Sequence, residues 1–258
     1  MNRRMLMKIG GKAFDDRKGF LELAGAIKEN PAVEFIIVHG GGAEISQALQ
    51  AAGRPTHFVD GIRVTQAEDV AIVEKVLADI NARIADSLKA IGVSCRQLSG
   101  KTESLLLVEP MRRRGQDFGY VGEIKKVNPA PILASLESRR VPIVSPISIG
   151  EDGSTYNVNA DSAAAALAIA SACTDLLYFT DVTGVQIDGA LCPLLSLQEA
   201  RQFIVDGKIK GGMIAKLESA FEALSGKVPR VHILKWQGQQ TLQQLVGDGP
   251  LERTTLHW

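Results

Sequence analysis

Two glycine clusters, two lysines and one Asn-rich run are the residues whose types and spacing suggest chemistry. Gly10-Gly11 ends an apolar run from Arg4 to Ile9, and Gly40-Gly41-Gly42 follows a second, Val33 to Val38, after His39. Such turns let backbone approach a ligand closely, and N–H groups at a following helix start favour anions. Tight βα turns also use glycine for geometry alone. Lys8 sits inside the first apolar run, where a cation calls for an anion unless the strand is an edge facing water. Lys216 follows Gly211-Gly212-Met213 on the first turn of a helix. A cation there opposes the helix dipole, which fits a bound phosphate or a solvated surface lysine. Asn157-Val158-Asn159-Ala160-Asp161 precedes an Ala-rich stretch, so Asn159 or Asp161 is a helix cap or a site residue.

These residues need a frame, and the pattern supplies one. Between the first two apolar runs, Phe20, Leu21, Leu23, Ala24 and Ile27 recur at helical spacing, so the chain opens as β-α-β. Helices are expected over 43–52, closed by Gly53, and over 67–91, ending at Gly92. Short β-type runs around Arg112-Arg113-Arg114-Gly115 suggest hairpins over 94–127. Further strands are expected at 141–144, 176–179, 231–234 and 253–256, with helices at 160–172, 197–205 and 212–224. Strands alternating with helices imply a mostly parallel central sheet covered on both faces, a three-layer α/β sandwich with β-hairpin insertions. Ligands in such sheets sit outside the carboxyl ends of the strands, where the glycine clusters fall.

Other chemistries lose support. Ser99-Gly100-Lys101-Thr102 ends like a phosphate-binding P-loop, but Cys95 stands where its first glycine belongs and a strand-like segment follows. Gly247-Asp248-Gly249 begins a dinucleotide fingerprint that fails at Glu252. His39, His57, His232 and His257 show no metal-ligand grouping, no GxSxG occurs, and Cys95, Cys173 and Cys192 read as reduced thiols. Lys+Arg and Asp+Glu both number 29, so no global field draws the chain to nucleic acid or a membrane. A cytoplasmic protein is expected.

Taken in order, the motifs point further. KxGG at Lys8–Gly11, HGGG at His39–Gly42, GxRVT at Gly61–Thr65 and NxNAD at Asn157–Asp161 are followed by TDVxGV at Thr180–Val185 and GGMxxK at Gly211–Lys216. The ordered set resembles the amino-acid kinase superfamily and, within it, the N-acetylglutamate kinases. DFGYVGEI (Asp117–Ile124) and VPIVSPI (Val141–Ile147) resemble the same enzymes.

The resemblance implies ATP-dependent phosphorylation of the side-chain carboxylate of an N-acylated glutamate. Lys8 and Lys216 would act on the phosphates, and Asp161 would hold the two ammonium groups in register. Gly10, Gly11 and Gly41 would offer backbone to the phosphates, with Gly42 at the substrate. Arg63 would pair with the substrate α-carboxylate, helped by Asn157 and Asn159. Thr180, Asp181, Val182, Gly184, Lys210, Gly212 and Met213 would cradle the nucleotide, with Mg²⁺ carried mainly by its phosphates and no protein metal site. Residues 1–172 would form the substrate-binding and dimerising lobe, and 173–258 the nucleotide lobe. Hexameric, arginine-regulated members carry an extra N-terminal helix, so a homodimer without strong arginine feedback is expected, paired through the helix at 67–91. N-succinylglutamate or carrier-linked aminoadipate is the alternative acceptor, and a non-catalytic amino-acid or nucleotide sensor a further reading. Independently, a glutamate side chain with a pKa near 4.3 is already an ionised nucleophile at neutral pH, so no general base is required.

Overall fold

The computed structural model describes residues 3–10, 14, 16–113 and 115–258. The expectations for Gly11 and Arg114 lie outside them. In chain order the first half runs β1 (Arg4–Ile9), α1 (Arg17–Lys28), β2 (Glu34–His39), α2 (Gly42–Ala51), β3 (His57–Val59), β4 (Ile62–Val64) and α3 (Val70–Ala90). It continues with β5 (Cys95–Ser99), β6 (Leu106–Arg113), β7 (Gln116–Val127), α4 (Ala130–Glu137), β8 (Val141–Ser145), β9 (Ile147–Gly150) and β10 (Thr155–Asn157). The second half comprises α5 (Ala160–Ala170), β11 (Asp175–Thr180), β12 (Gln186–Ile187), β13 (Ala190–Leu191), β14 (Leu194–Ser196) and α6 (Leu197–Val205). α7 (Gly212–Ser225), β15 (Arg230–Lys235), α8 (Gln240–Val246) and β16 (Arg253–His257) complete it.

The central sheet has eight strands in the order β14-β16-β15-β11-β1-β2-β8-β5. From β15 to β5 every pairing is parallel, and β16 joins antiparallel to β15. Strands buried on both faces need apolar residues at nearly every position, and β1 and β2 supply them apart from Arg4, Lys8, Glu34 and His39. Alternation then sorts the side chains. Leu6, Ile36, Leu176 and Tyr178 face a layer of α4, α5, α6 and α7. Met5, Met7, Ile9, Phe35, Leu177 and Phe179 face α1, α3 and α8. This is the expected three-layer sandwich.

β6 and β7 form the expected hairpin around Arg113 and Gln116, and with β9 and β10 they close a small barrel beside the sheet. β5 departs from the hairpin expectation: it pairs in parallel with β8 at the sheet's edge. Gly100, read against a P-loop, has a packing reason. A Cβ there would lie 2.1 Å from Ser148 Oγ and 2.7 Å from the Ile147 carbonyl oxygen. Lys101 next to it bonds Glu74 and Thr155 rather than reaching toward the glycine turns. Arg113 contacts Glu218 on α7 at the surface, and Arg112 is solvated. Among the described residues no helix is long and apolar enough to cross a membrane.

Candidate active site

The carboxyl ends of β1, β2 and β11 meet at the centre of the sheet, where connections leave in opposite directions, the place such folds reserve for ligands. A cleft of about 440 Å³ opens there, lined by Lys8, Gly10, Phe14, His39, Gly40 to Glu44 and Asp181 among others. A larger groove of about 1120 Å³ runs along β14 and α6, but none of the glycine turns or lysines lines it. Lys8 and the glycine turns make the smaller cleft the candidate site.

Lys8 is no edge-strand lysine, because β1 lies between β2 and β11. Its position in the alternation turns it toward the layer holding α5 and α7. Asp161 on α5 and Lys216 on α7 come to meet it. Lys8 Nζ lies 2.9 Å from Asp161 Oδ1, and Lys216 Nζ lies 3.1 Å from Oδ1 and 2.9 Å from Oδ2. Lys216 is the fifth residue of α7, which begins at Gly212, so it opens the second turn rather than lying on the first. Helical side chains lean back toward the amino end, and that lean carries the ammonium to Asp161.

Two cations share one carboxylate in a buried place, and the titration behaviour follows. Burial alone would raise the Asp161 pKa, but the Lys8 and Lys216 charges overcome it and bring it down to about 2. Burial lowers the Lys216 pKa and the Lys8 charge adds to this, taking it to about 8 although Asp161 opposes the shift. The carboxylate is over-compensated and the second ammonium under-compensated. A ligand anion would complete the balance.

The glycine turns frame this cluster. A Cβ on Gly10 would stand 3.4 Å from Lys8 Nζ, and one on Gly40 would stand 3.9 Å from it and 4.0 Å from the Ala160 Cβ at the start of α5. A Cβ at either position would be in van der Waals contact with the ammonium. Gly41 caps α2 without a side-chain cap bond, and its missing Cβ would come within 2.9 Å of Ile80 on α3. First-turn N–H groups of α2 have no partner within the helix. His39, which carried no assignment, is buried beside this turn. Its Nδ1 is 3.0 Å from the Gly40 carbonyl oxygen and its Nε2 is 3.3 Å from Asn81 Nδ2 on α3. Burial lowers its pKa to about 4, so at neutral pH Nδ1–H donates to Gly40 while Nε2 accepts from Asn81.

Arg63, on β4, is nearly buried, its Nη2 donating to the Gly42 carbonyl at 2.8 Å and to Ser46 Oγ at 2.8 Å. Its guanidinium lies 4.6 Å over the Phe58 ring, while Nη1 is buried with no hydrogen-bond partner among the described residues. Burial lowers its pKa against the pull of Asp69. Asn157 donates to Thr65 Oγ1 at 3.2 Å, two residues beyond Arg63. Asn159 is the cap of α5: its Oδ1 accepts from the backbone N–H of Asp161 at 2.8 Å and of Ser162 at 3.2 Å. Capping thus engages the Asn159 oxygen and points the first turn that bears Asp161.

On the other side, Asp181 lines the cleft at the end of β11, and Val182 beside it is exposed. Gly184 answers to packing, since a Cβ there would meet Thr254 Oγ1 at 2.5 Å and Leu191 at 2.6 Å. Thr254 in turn accepts from the Val185 N–H and donates to the Cys192 carbonyl, so the C-terminal strand secures this loop. Lys210 is exposed, whereas Met213 packs on the core beneath α7. Gly211 has φ of 59° and ψ of −139° at the cap of α7, a conformation suited to glycine. Gly61, with φ of 79° in the β3–β4 turn, packs on the same point: a Cβ on it would be 3.2 Å from the Gly212 Cα. The GxRVT and GGMxxK segments therefore touch.

Comparison with known proteins gives a consistent picture. The profile of the amino acid kinase family matches residues 3–235. An acetylglutamate kinase of Pseudothermotoga lettingae is 38% identical over 234 residues, covering 90% of this chain and 84% of the relative. Another, from Chloroflexus aggregans, is 38% identical over 240 residues, covering 92% and 94%. The crystal structure of smu.665 from Streptococcus mutans superposes with a TM-score of 0.84 at 29% identity, covering 99% of each chain.

Proposed function

The chain belongs to the amino acid kinase family, and on that premise we propose that it transfers the γ-phosphoryl group of ATP to the side-chain carboxylate of N-acetyl-L-glutamate, a reaction of arginine biosynthesis. The observation that carries this reading is the Lys8–Asp161–Lys216 cluster, two ammonium groups on one carboxylate, with Lys8 lining the glycine-framed cleft. The acetylglutamate kinases among its relatives support the acceptor.

The cluster suits phosphoryl transfer because that reaction asks for alignment and charge neutralisation more than for covalent help. Lys8 and Lys216 would grip the transferring group from two elements, strand β1 and helix α7, while Asp161 fixes the spacing between them. Backbone N–H groups at Gly10, Gly41 and the start of α2 would take phosphate oxygens. Asp181, with Thr180, Val182 and Gly184, would flank the nucleotide together with Lys210, Gly212 and Met213. Mg²⁺ bound to the phosphates would neutralise part of their charge. Both Asp161 oxygens are already engaged by lysines, so the metal would travel on the nucleotide rather than on this carboxylate. In this reading residues 173–258 serve the nucleotide and 1–172 the acceptor, and the outward face of α3, with Ala71, Lys75, Ala78 and Asp79, pairs two copies in a cytoplasmic homodimer.

Arg63 would receive the acceptor's α-carboxylate, and its partnerless buried Nη1 supports that role. Lysine offers a point charge in place of the planar fork. Arg63→Lys is therefore expected to raise KM for acetylglutamate by roughly 10–10²-fold with a smaller change in kcat, measured by initial rates at saturating ATP. An unchanged KM would remove Arg63 from the acceptor site.

Lys216 also sets a pH dependence. The grip requires an ammonium, and its pKa near 8 in the free protein means kcat/KM falls as pH rises through that value. Bound phosphate favours the charged form, so the alkaline limb of kcat should lie higher than that of kcat/KM. Rate profiles from pH 6 to 10 check both limbs; coincident limbs would contradict phosphate contact by Lys216. The activity itself is tested by trapping acyl phosphate as hydroxamate with ATP and Mg²⁺, comparing acetylglutamate, succinylglutamate and free glutamate. Product from acetylglutamate in clear preference to the others is the expected result.

A further inference from the structure

Tyr178 neighbours every member of the charge cluster, although its own chemistry takes no part in phosphoryl transfer. β1 and β11 pair so that Lys8 and Tyr178 stand side by side on one face of the sheet. The Lys216 ammonium lies 5.2 Å from the centre of the Tyr178 ring. The phenol hydroxyl donates to the main-chain carbonyl of Asp161 at 3.2 Å, on the first turn of α5. The residue is completely buried in the middle of the sheet.

The geometry poses an electrostatic problem that a tyrosine solves. Two ammonium groups on one carboxylate leave an excess positive charge in a dry place, and burial favours loss of a proton. A second carboxylate would hold the proton but would repel a triphosphate. An aromatic face attracts the cation through its quadrupole and adds no net charge against the phosphates. Lys216 is faced by Lys8 from β1, Asp161 from α5 and Tyr178 from β11, while Glu222 further along α7 acts on Tyr178 itself.

We propose that Tyr178 is a positioning residue that keeps Lys216 protonated and aimed before nucleotide binds, its ring holding the ammonium and its hydroxyl fixing the turn that presents Asp161. The inference rests on Lys216 acting at the phosphoryl group. The test is the alkaline limb of kcat/KM in the full chain, compared among wild type, Tyr178→Leu, Tyr178→Phe, a form carrying pentafluorophenylalanine at 178, and Lys216→Arg. Tyr178→Phe keeps the ring face and should leave the limb in place. Tyr178→Leu and the pentafluoro form, whose face is depleted of electrons, should move it down by about one pH unit. Should Tyr178→Leu fail to fold, the phenylalanine and pentafluoro forms, near-identical in shape, carry the comparison. A limb that stays put in the pentafluoro form, or moves as far in Tyr178→Phe, overturns the role of the ring. A limb that persists unmoved in Lys216→Arg overturns the reading of Lys216 and this inference with it. A limb abolished in Lys216→Arg but insensitive to residue 178 overturns the inference alone.

Discussion

Lys8→Ala and Lys216→Ala are each expected to lower kcat by about 10²-fold or more, near 2.7 kcal/mol of transition-state stabilisation. The reason is geometric. Both ammonium groups are pre-set on Asp161, so their charge meets the transferring group without reorganisation. Each contributes most as negative charge spreads over the oxygens passing between donor and acceptor. KM for ATP should rise less than kcat falls. Hydroxamate formation under saturating substrates measures the effect, and near-normal turnover in either variant would be incompatible with the proposed site. Because the lysines share one partner, the double variant should lose less than the product of the single losses.

Asp161→Asn should damage both catalysis and folding. It leaves buried Lys216 and half-buried Lys8 without their common anion, and breaking such a pair typically costs about 3 kcal/mol. Lys216 would then shed its proton more readily, and turnover at neutral pH should drop by about 10²-fold. The acid side of the stability profile provides a separate check. The Asp161 pKa is depressed to about 2 from 3.8. Its stabilisation is therefore complete above the unfolded value and is lost as pH falls from about 4 toward 2. Denaturant unfolding across that range should show a shallower acid decline in Asp161→Asn than in wild type. Equal slopes in the two proteins would mean the ion cluster does not stabilise the native state.

Much of this arrangement could be read from residue order, and the physical reasons are specific. Arg4–Ile9 is apolar throughout apart from its ends and Lys8, which is the pattern of a strand covered on both faces, and the observed strand has those bounds. Helices with long apolar periodicity, such as α3 and α7, also declared themselves. Elements without such a signal did not. α8 has seven residues, among them three glutamines, and α4 has eight and begins after Pro129. β9 and β10 owe their strand form to barrel closure with β6 and β7, which is a tertiary circumstance. β5, with Arg96 and Gln97 inside it, lacked the apolar run that marks β1 and β2, and its parallel partner β8 lies beyond two hairpin strands and a helix.

The site divides in the same way. Lys8 and Lys216 were conspicuous because each is awkward in the local setting the sequence suggests, whereas Asp161, ordinary on a first helical turn, stood out only through the NxNAD motif. His39, Asn81 and Tyr178 were silent, since a buried histidine, an asparagine within a helix and a tyrosine within a strand are all ordinary locally. Their meaning comes from register, which brings Tyr178 beside Lys8, and from the packing of α3, which brings Asn81 to His39. Asn159 had two readings, helix cap and site residue, and its oxygen is seen to cap α5.

The meeting of Gly61 with Gly212 has a bearing on redesign. The turn that leads to Arg63 rests directly on the amino end of the helix that bears Lys216, backbone against backbone, with no side chain between to absorb a change of shape. Lengthening or stiffening that turn to admit a bulkier acceptor would therefore push on the phosphate grip as well. Broadening the choice of acceptor is better begun at Phe58, whose ring lies over the guanidinium from an exposed position and leaves that joint untouched.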